Sequence, residues 1–403
     1  MQNVNKMNRL INISNNAINN VPTEFKRYLA KEIDWEQRMI AISGARGSGK
    51  TILMLQQMKK ITSQGKNALY VSLDDIYFTE NKLIYFAEEF SRNGGEYLFL
   101  DEVHKYSNWS QELKNIYDSI FDLKIVFTSS SALEIYRGSH DLSRRALVYY
   151  LAGLSVREYI LFKYKKDFPI LNLNDILENN IEKTASIVSN IKIFPIFKEY
   201  LKGGYYPFFD ELKSNYLKQL STTINLVIES DLPAIHKIDF NSILKLKRLV
   251  AIISRIAPYT PNIEKLAKQI ETTRPTLLKY LYYLDKAQII RILGKDSFGI
   301  NYLNKPDKLY LSNPNLAYAF GEDAVNIGNL RETFFLNQVS VKHSVTYPKQ
   351  GDFLIDNRYL FEVGGKSKTQ KQIAGIENAY IVSDSIEYGF YNKLPLWIFG
   401  FLY

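Results

Sequence analysis

The sequence has no cysteine in its 403 residues and only four histidines, His104, His140, His236 and His343. The absence of cysteine excludes disulfides, zinc–cysteine sites and thiol catalysis. The histidines are scattered without the spacing of metal ligands, so we interpret each of them as structural. The chemistry must therefore come from carboxylates, hydroxyls, cations and the backbone.

The sequence also has no leader-type N-terminus and no apolar run near the ~20 residues needed to span a bilayer. We therefore expect no membrane contact and a cytoplasmic location. A net charge of +9 permits an acidic partner such as nucleic acid, but the lysines are spread along the chain rather than clustered. Hydrophobic content of 46% is ordinary for a globular protein, and the length predicts roughly two to four domains.

The most informative feature of the sequence is one glycine-rich motif. It fits the nucleotide-loop pattern G-x-x-x-x-G-K-[ST] at every fixed position. Its glycines let successive backbone N–H groups point at phosphate oxygens, while the lysine reaches the β- and γ-phosphates and the threonine hydroxyl binds Mg²⁺. The predicted nucleotide-binding residues are Gly44, Ala45, Arg46, Gly47, Ser48, Gly49, Lys50 and Thr51.

The context of the loop supports this interpretation. An apolar run over residues 38–43 reads as a buried strand, and residues 52–61 have helical composition. About fifty residues later, a second buried strand at 97–100 ends in Asp101 and Glu102. In such sites one carboxylate holds Mg²⁺ and the next polarises the attacking water. We therefore predict Thr51 and Asp101 as metal-site residues and Glu102 as the water-polarising residue.

Strands and helices alternate along the first part of the chain, which favours an α/β fold with a parallel sheet and helices on both faces. The predicted strands are 39–43, 68–72, 97–100, 124–128 and 148–151. Ligands bind such sheets at the carboxyl ends of the strands. Residues 128–131 are Thr-Ser-Ser-Ser at one such end, so one of Thr128, Ser129 and Ser130 is a candidate to contact the γ-phosphate or the water, and Ser129 is the one that we carry forward. Helix capping by these hydroxyls is the alternative.

A polar loop at residues 137–145 carries three arginines. An arginine that reaches the γ-phosphate, in cis or from a neighbouring subunit, stabilises charge in the transition state. We favour Arg144 or Arg145 over Arg137 for this role, against the alternative of an ordinary solvated loop.

Together these motifs resemble a group of prokaryotic AAA-type ATPases (AAA_14), related to the archaeal origin-recognition/STAND branch and carrying a C-terminal DUF4143 region. The resemblance rests on the glycine loop, Leu-Asp-Glu-Val-His-Lys at 100–105, the stretch at 127–135, Ser-Arg-Arg at 143–145, Gly-Leu-Ser-Val-Arg-Glu-Tyr at 153–159, and Gly-Gly-Tyr-Tyr-Pro at 203–207. It implies an ATPase with ATP and Mg²⁺ as ligands, and a small helical lid after the core.

Residues 241–303 have a winged-helix pattern. Apolar residues at 263–270 and 277–284 predict two helices joined by a turn, and residues 289–293 and 300–303 predict the wing hairpin. On the second helix, Arg274, Thr276, Lys279 and Tyr283 would face outward and contact DNA. The alternative is that this module packs against protein.

The last ~95 residues contain a possible second metal site. Glu332 lies on a predicted helix, Asp352 opens one strand, and Glu362 lies in the next, with a turn at residues 356–357 joining the strands. Restriction-endonuclease-like folds hold Mg²⁺ with such carboxylates. The resemblance calls for lysine at position 364, where this sequence has Gly364, so Lys366, Lys368 or Gln370 would have to fill that place.

The sequence therefore predicts five domains: a helical lead-in (1–34), a P-loop ATPase core (35–150), a helical lid (151–240), a winged helix (241–305) and a nuclease-like α/β domain (306–403). The predicted function is ATP hydrolysis coupled to conformational change in the C-terminal half. A nucleotide-gated DNA-binding switch and a Mg²⁺-dependent nuclease are the alternatives. The sequence is compatible with a monomer and with a homo-oligomer.

Overall fold

The structure of the chain is a computed structural model that describes residues 2–129, 142, 144–236, 238–295, 306–321 and 325–403. The chain divides into two compact units, Met1–Gly153 and Leu154–Tyr403. The five domains expected from the sequence are a finer division and stay a prediction. Within the described ranges, no helix is long and apolar enough to cross a membrane.

A parallel five-stranded sheet forms the centre of the first unit, in the strand order β2-β3-β4-β1-β5. Every predicted strand is confirmed to within one residue at each end. The strands are β1 (Met39–Ser43), β2 (Ala68–Ser72), β3 (Tyr97–Asp101), β4 (Lys124–Ser129) and β5 (Leu147–Tyr150).

The inner strands of this sheet are buried on both faces. Ile40 and Ala41 of β1, and Phe99 and Leu100 of β3, each have 0% of their surface exposed. Because successive side chains of a strand point to opposite faces, helices must cover both sides of the sheet. The helices of this unit are α1 (Gln2–Asn20), α2 (Lys50–Ser63), α3 (Tyr77–Glu80), α4 (Leu83–Arg92) and α5 (Trp109–Ser119).

The N-terminal segment forms one 19-residue helix, α1, and a 3-10 turn at Tyr28–Lys31. The sequence predicts a helical lead-in over residues 1–34, and both elements fall within it. Helix α1 lies beside β2, the edge strand, and the buried Ser14 hydroxyl accepts a hydrogen bond from Tyr70 N at 3.0 Å. A helix thus covers an edge that would otherwise present an unpaired backbone donor.

The second unit begins with helices, as the sequence predicts. Helix α6 (Val156–Tyr164) starts with a capping box, in which Ser155 Oγ accepts a hydrogen bond from Glu158 N and Ser155 N donates one to Glu158 Oε2. The Ser-x-x-Glu part of the 153–159 motif is therefore a helix-start signal. The helices that follow are α7 (Leu173–Glu178), α8 (Asn180–Val188), α9 (Ile193–Gly203), α10 (Phe209–Leu212), α11 (Tyr216–Leu226), α12 (Leu232–His236) and α13 (Phe240–Ile256).

A two-helix turn and a hairpin come next. The helices are α14 (Ile263–Gln269) and α15 (Arg274–Lys286), and Thr273 caps the second one. Strand β6 (Ile290–Leu293) pairs antiparallel with β7 (Lys308–Leu311). Residues 300–303, predicted as the second strand of the wing hairpin, lie outside the described residues.

A second five-stranded sheet occupies the C-terminal part, after helices α16 (Pro314–Phe320) and α17 (Ile327–Val339). The predicted hairpin is confirmed: β9 and β10 are antiparallel, and Asp356 and Asn357 between them have φ of +52° and +54°, as a two-residue hairpin turn requires. The strands are β8 (Val345–Thr346), β9 (Phe353–Ile355), β10 (Tyr359–Gly364), β11 (Ala379–Ser383) and β12 (Lys393–Pro395).

A buried asparagine connects several segments of the second unit. Asn315, with 0% exposure, accepts hydrogen bonds from Tyr205 N and from the Tyr216 hydroxyl, and donates to the carbonyls of Tyr200 and Leu201. It therefore holds α16 against the 203–207 turn and the helices on either side of that turn. In particular, the buried Tyr205 N–H and Tyr216 hydroxyl both donate to this side chain.

We expect Asn315→Ala to lower the free energy of unfolding by about 2–4 kcal/mol, because it removes four hydrogen bonds and leaves the buried Tyr205 N–H and Tyr216 hydroxyl without this acceptor. Asn241→Ala, at an exposed position of α13, is the control and should change stability by less than about 0.5 kcal/mol. Urea denaturation followed by circular dichroism measures both. Equal midpoints for the two variants would contradict the role of Asn315.

Candidate functional site

The glycine-rich loop connects β1 to α2, in the order strand, loop, helix that the motif requires. Gly47 and Gly49 have φ of +83° and +95°, in the left-handed region that favours glycine. A Cβ atom on Gly44 would lie 2.4 Å from the carbonyl oxygen of Leu151. The glycines are thus needed for backbone conformation and for close packing against the end of β5.

Lys50 is the first residue of α2 and is buried, with 6% of its surface exposed. Its Nζ donates hydrogen bonds to the carbonyl oxygens of Gly44 at 2.9 Å and Ala45 at 3.1 Å. The ammonium group therefore lies inside the curve of the loop, where a phosphate oxygen would replace carbonyls as its acceptor.

Asp101, at the end of β3, is the centre of the site. Its Oδ2 accepts hydrogen bonds from Thr51 Oγ1 at 2.8 Å and from the Tyr70 hydroxyl at 3.0 Å. Its Oδ1 accepts from Thr128 Oγ1 and, at 3.1 Å, from Glu102 N. The glycine-rich motif and the acidic end of β3, fifty residues apart in sequence, are therefore in direct contact. Among the described residues, every donor to the Asp101 carboxylate is uncharged.

Glu102 has a left-handed backbone, with φ of +52°. Its Oε2 lies 3.1 Å from His104 Nε2, and the His104 side chain is fully buried. The backbone therefore leaves the extended strand conformation at Glu102, and the imidazole beside its carboxylate restricts the positions which that carboxylate can take. The sequence identified Glu102 as functional, but it indicated only a structural role for His104.

Two contacts to Asp101 were missed by sequence reasoning. Tyr70 lies in β2 and gave no signal, because an aromatic residue in a buried strand is ordinary. Burial, and after it the negative charge of Asp101, raises the pKa of the Tyr70 hydroxyl, so the hydroxyl remains a donor at neutral pH. Thr128 belongs to the hydroxyl cluster, where Ser129 was preferred. Ser129 is buried at the end of β4 beside Ser43, and Ser130 lies outside the described residues.

Arg27 is a third residue that the sequence did not reveal. It is buried, and its guanidinium donates hydrogen bonds to the carbonyl oxygens of Ser48 at 2.6 Å, Ala152 at 2.7 Å and Gly153 at 2.8 Å. It therefore ties the glycine-rich loop to the segment that follows β5. It also turns the Ser48 carbonyl toward itself, which suits a loop whose N–H groups must face the opposite way.

Arg144 and Arg145 lie at the amino ends of the strands, on the side of the sheet opposite the glycine-rich loop. They come shortly before β5, which runs parallel to β1, and the loop follows the carboxyl end of β1. Arg144 is exposed, and Arg145 forms two hydrogen bonds with Asp118, near the end of α5, at 2.8 and 2.9 Å. Arg137 lies outside the described residues. The structure therefore does not bring Arg144 and Arg145 to the site of the same chain.

The residues around Thr51 and Asp101 fit a magnesium ion. A hydroxyl and a carboxylate 2.8 Å apart are hard oxygen donors, and Mg²⁺ in nucleotide sites uses one or two protein oxygens together with phosphates and water. In the part of the chain that is described, no group of three or more acidic or histidine side chains could hold a metal ion by itself. A site completed by nucleotide phosphates agrees with that observation.

The C-terminal carboxylates are gathered around lysines. Lys308 Nζ lies 2.6 Å from Glu332 and 4.0 Å from Asp352, and Lys368 pairs with the buried Glu362. Burial, and after it the charge of Glu332, raises the pKa of Asp352 to about 6. Lys368 does fill the place predicted for a shifted lysine. Among the residues that the structure describes, however, no group of three or more acidic or histidine side chains could hold a metal ion, so these carboxylates are not gathered as the predicted second metal site requires.

The predicted DNA-facing side of α15 is only partly exposed. Arg274 and Lys279 are exposed, and Thr276 is half-buried. Tyr283 has 3% of its surface exposed and stacks on His236, with ring centroids 3.7 Å apart. The expectation that Tyr283 faces outward is therefore wrong, since this ring belongs to the packing of α12 against α15.

Comparison with known proteins agrees with the geometry of the first unit. Residues 36–160 match the family model AAA_14, described as an AAA domain, and residues 195–326 match a domain of unknown function, DUF8612. The DUF4143 region implied by the resemblance is not shown, because a different model matches there. Two proteins of Methanocaldococcus jannaschii, both described as uncharacterized, are 28% and 23% identical over 372 and 366 residues, each covering 84% of this chain and 78% of the relative.

Two solved structures of DnaA are similar to this chain at low sequence identity. AMPPCP-bound DnaA from Aquifex aeolicus is 15% identical, with a TM-score of 0.26 over 64% of this chain and 84% of that one. A replication initiator DnaA bound to AMPPCP and single-stranded DNA is 16% identical, with a TM-score of 0.28 over 68% and 92%. Both TM-scores are low. The family match and the observed sheet together identify residues 36–160 as an AAA-type P-loop domain.

Proposed function

We propose that the first unit binds ATP with Mg²⁺ and hydrolyses it. The observation that carries this proposal is the 2.8 Å hydrogen bond between Thr51 and Asp101. It brings the glycine-rich loop and the acidic strand end to one edge of one sheet, as a triphosphate with its metal requires. The match of residues 36–160 to an AAA domain supports the same conclusion.

The residues have separate tasks in this proposal. The loop N–H groups and Lys50 bind the β- and γ-phosphates, and Lys50 exchanges the carbonyls of Gly44 and Ala45 for phosphate oxygens. Thr51 and Asp101 hold Mg²⁺, which when bound offsets the negative charge of the phosphates. Glu102 orients the attacking water, and the fully buried His104 beside it limits the positions its carboxylate can take.

We further propose that the nucleotide state changes the conformation of the second unit. Such coupling requires ATP and ADP to stabilise different arrangements of the chain. An arginine from a neighbouring copy could contribute to the transition state, and Arg144 and Arg145, at the amino edge of the sheet, are the candidates in that case. In cis they are poorly placed, because that edge is opposite the loop.

Two substitutions test the ATPase directly. Lys50→Ala should abolish detectable ATP binding, while Lys60→Ala, at an exposed position of the same helix, should bind like the parent. Glu102→Gln should retain ATP binding and slow turnover by about 100-fold or more, the usual contribution of a general base. Fluorescence titration with a labelled nucleotide and a phosphate-release assay measure the two effects. Parent-like hydrolysis by Glu102→Gln would contradict the role given to Glu102.

The contacts of Arg27 lead to a separate prediction. Arg27→Met removes the donors to three carbonyls, including that of Ser48 in the loop. Since hydrogen bonds from a charged group contribute about 1.5–3 kcal/mol each, we expect ATP affinity to fall by about tenfold or more. Arg9→Met, which removes only a half-exposed ion pair with Asp75, serves as the control. Unchanged affinity in Arg27→Met would show that the loop keeps its form without this tie.

A nucleotide-gated DNA-binding switch with little turnover is the second candidate. The observation that favours it is the two-helix turn of α14 and α15, where the start of the second helix is exposed and carries Arg274 and Lys279. Such a helix start is the part that contacts DNA in related modules. Tyr283 is excluded from this surface by its burial.

Duplex DNA binding at several salt concentrations tests this candidate. If the helix start contacts phosphates, Arg274→Ala with Lys279→Ala should weaken binding and reduce the steepness of the salt dependence by about 0.9 for each lost contact. Lys198→Ala with Lys202→Ala, two exposed lysines elsewhere in the same unit, is the control. No retention of DNA by the parent at low salt would remove this candidate.

A further inference from the structure

The carboxylate of Asp101 depends on a residue that belongs to no nucleotide motif. Among the described residues, three of its four donors come from the nucleotide motif and the central strands: Thr51, Thr128 and the backbone N of Glu102. The fourth is the hydroxyl of Tyr70, in the third position of β2, which donates to Oδ2 at 3.0 Å. Edge strand β2 thus supplies a direct contact to the predicted metal site.

Tyr70 is held in place from its other end as well. Its backbone N donates to Ser14 Oγ at 3.0 Å, and Ser14 is buried in α1 with 1% exposure. Its strand pairs with β3 in a register that puts Tyr70 opposite Phe99 and Ser72 opposite Asp101. The phenol ring itself turns about only two side-chain bonds. The position of the hydroxyl is therefore fixed by the sheet and by α1.

We propose that Tyr70 is a positioning residue for the metal site. It holds Oδ2 of Asp101 in the orientation that accepts a hydrogen bond from metal-bound water. This proposal rests on the proposed function, since it assigns Tyr70 a role toward Mg²⁺ bound with the nucleotide.

The contact between Tyr70 and Asp101 matters because the other donor to Oδ2 is itself a predicted metal ligand. Thr51 and Tyr70 share that oxygen, and Thr51 is also the residue whose hydroxyl oxygen would coordinate Mg²⁺. Tyr70 donates to the same oxygen without being a metal ligand itself, and together with the donors on Oδ1 it keeps the carboxylate from turning. Partners of this kind, one step removed from the metal, orient the ligands, and their loss typically lowers metal affinity by about 10–100-fold.

Tyr70→Phe tests the proposal because it removes the hydroxyl and keeps the ring. In the full chain, binding of a fluorescent ADP analogue is titrated with and without Mg²⁺, and binding of Mn²⁺ to the nucleotide complex is followed by electron paramagnetic resonance. We expect metal-free nucleotide affinity to stay within about twofold, and the Mg²⁺ concentration for half-saturation to rise about tenfold or more. The control is Tyr97→Phe, at the amino end of β3, which should leave both values unchanged.

The outcomes separate the two proposals. If the parent binds nucleotide and metal while Tyr70→Phe has the parent's half-saturation or a lower one, the positioning role is wrong and the ATPase proposal stands. If the parent binds no nucleotide, both proposals are wrong. Should Tyr70→Phe fail to fold, Ser14→Ala replaces it. This variant keeps the Tyr70 hydroxyl but removes the hydrogen bond between Tyr70 N and α1. We expect a smaller rise in the Mg²⁺ concentration for half-saturation. An unchanged value in Ser14→Ala would then overturn the positioning role.

Discussion

The hydrogen bonding of the Asp101 carboxylate is the constraint on which the first unit depends. A buried charge is tolerated only when donors surround it, and here the donors come from the glycine-rich loop, β2, β4 and the backbone at Glu102. Each of these segments must reach the same edge of the sheet. The strand order and the parallel direction of the strands make that possible, because their carboxyl ends meet there.

The two acidic clusters of the chain differ in how their charge is compensated. Around Asp101 the described residues provide uncharged hydroxyl and amide donors, which orient the carboxylate and leave its negative charge for a divalent cation. Around Glu332, Asp352 and Glu362 the partners include two ammonium groups, those of Lys308 and Lys368, besides the Tyr310 hydroxyl and the Val363 N–H. The same residue type is therefore surrounded by uncharged donors in the first unit and by cationic as well as uncharged donors in the second.

Buried polar side chains also organise the second unit. Asn315 fixes α16 by four hydrogen bonds, and Ser155 and Glu158 start α6 with a capping box. Both devices satisfy backbone or hydroxyl groups that would otherwise be buried without partners. The motifs at 153–159 and 203–207, which the family resemblance emphasised, have a physical reason in these contacts: one begins a helix, and the other packs against an asparagine.

The sequence by itself determined the parallel sheet, its five strands, the glycine-rich loop, the pairing of that loop with Asp101 and Glu102, and the 356–357 hairpin. These features depend on short-range patterns: apolar runs, glycine positions and turn residues. Only the tertiary structure decided that Tyr70 and Arg27 join the site, that Thr128 is a hydroxyl that contacts Asp101, that Arg144 and Arg145 lie at the opposite edge, that residues 308–311 pair with β6, and that Tyr283 is buried. These facts depend on which distant segments become neighbours, and a tyrosine or an arginine has the same local pattern whether it packs in a core or supports a site.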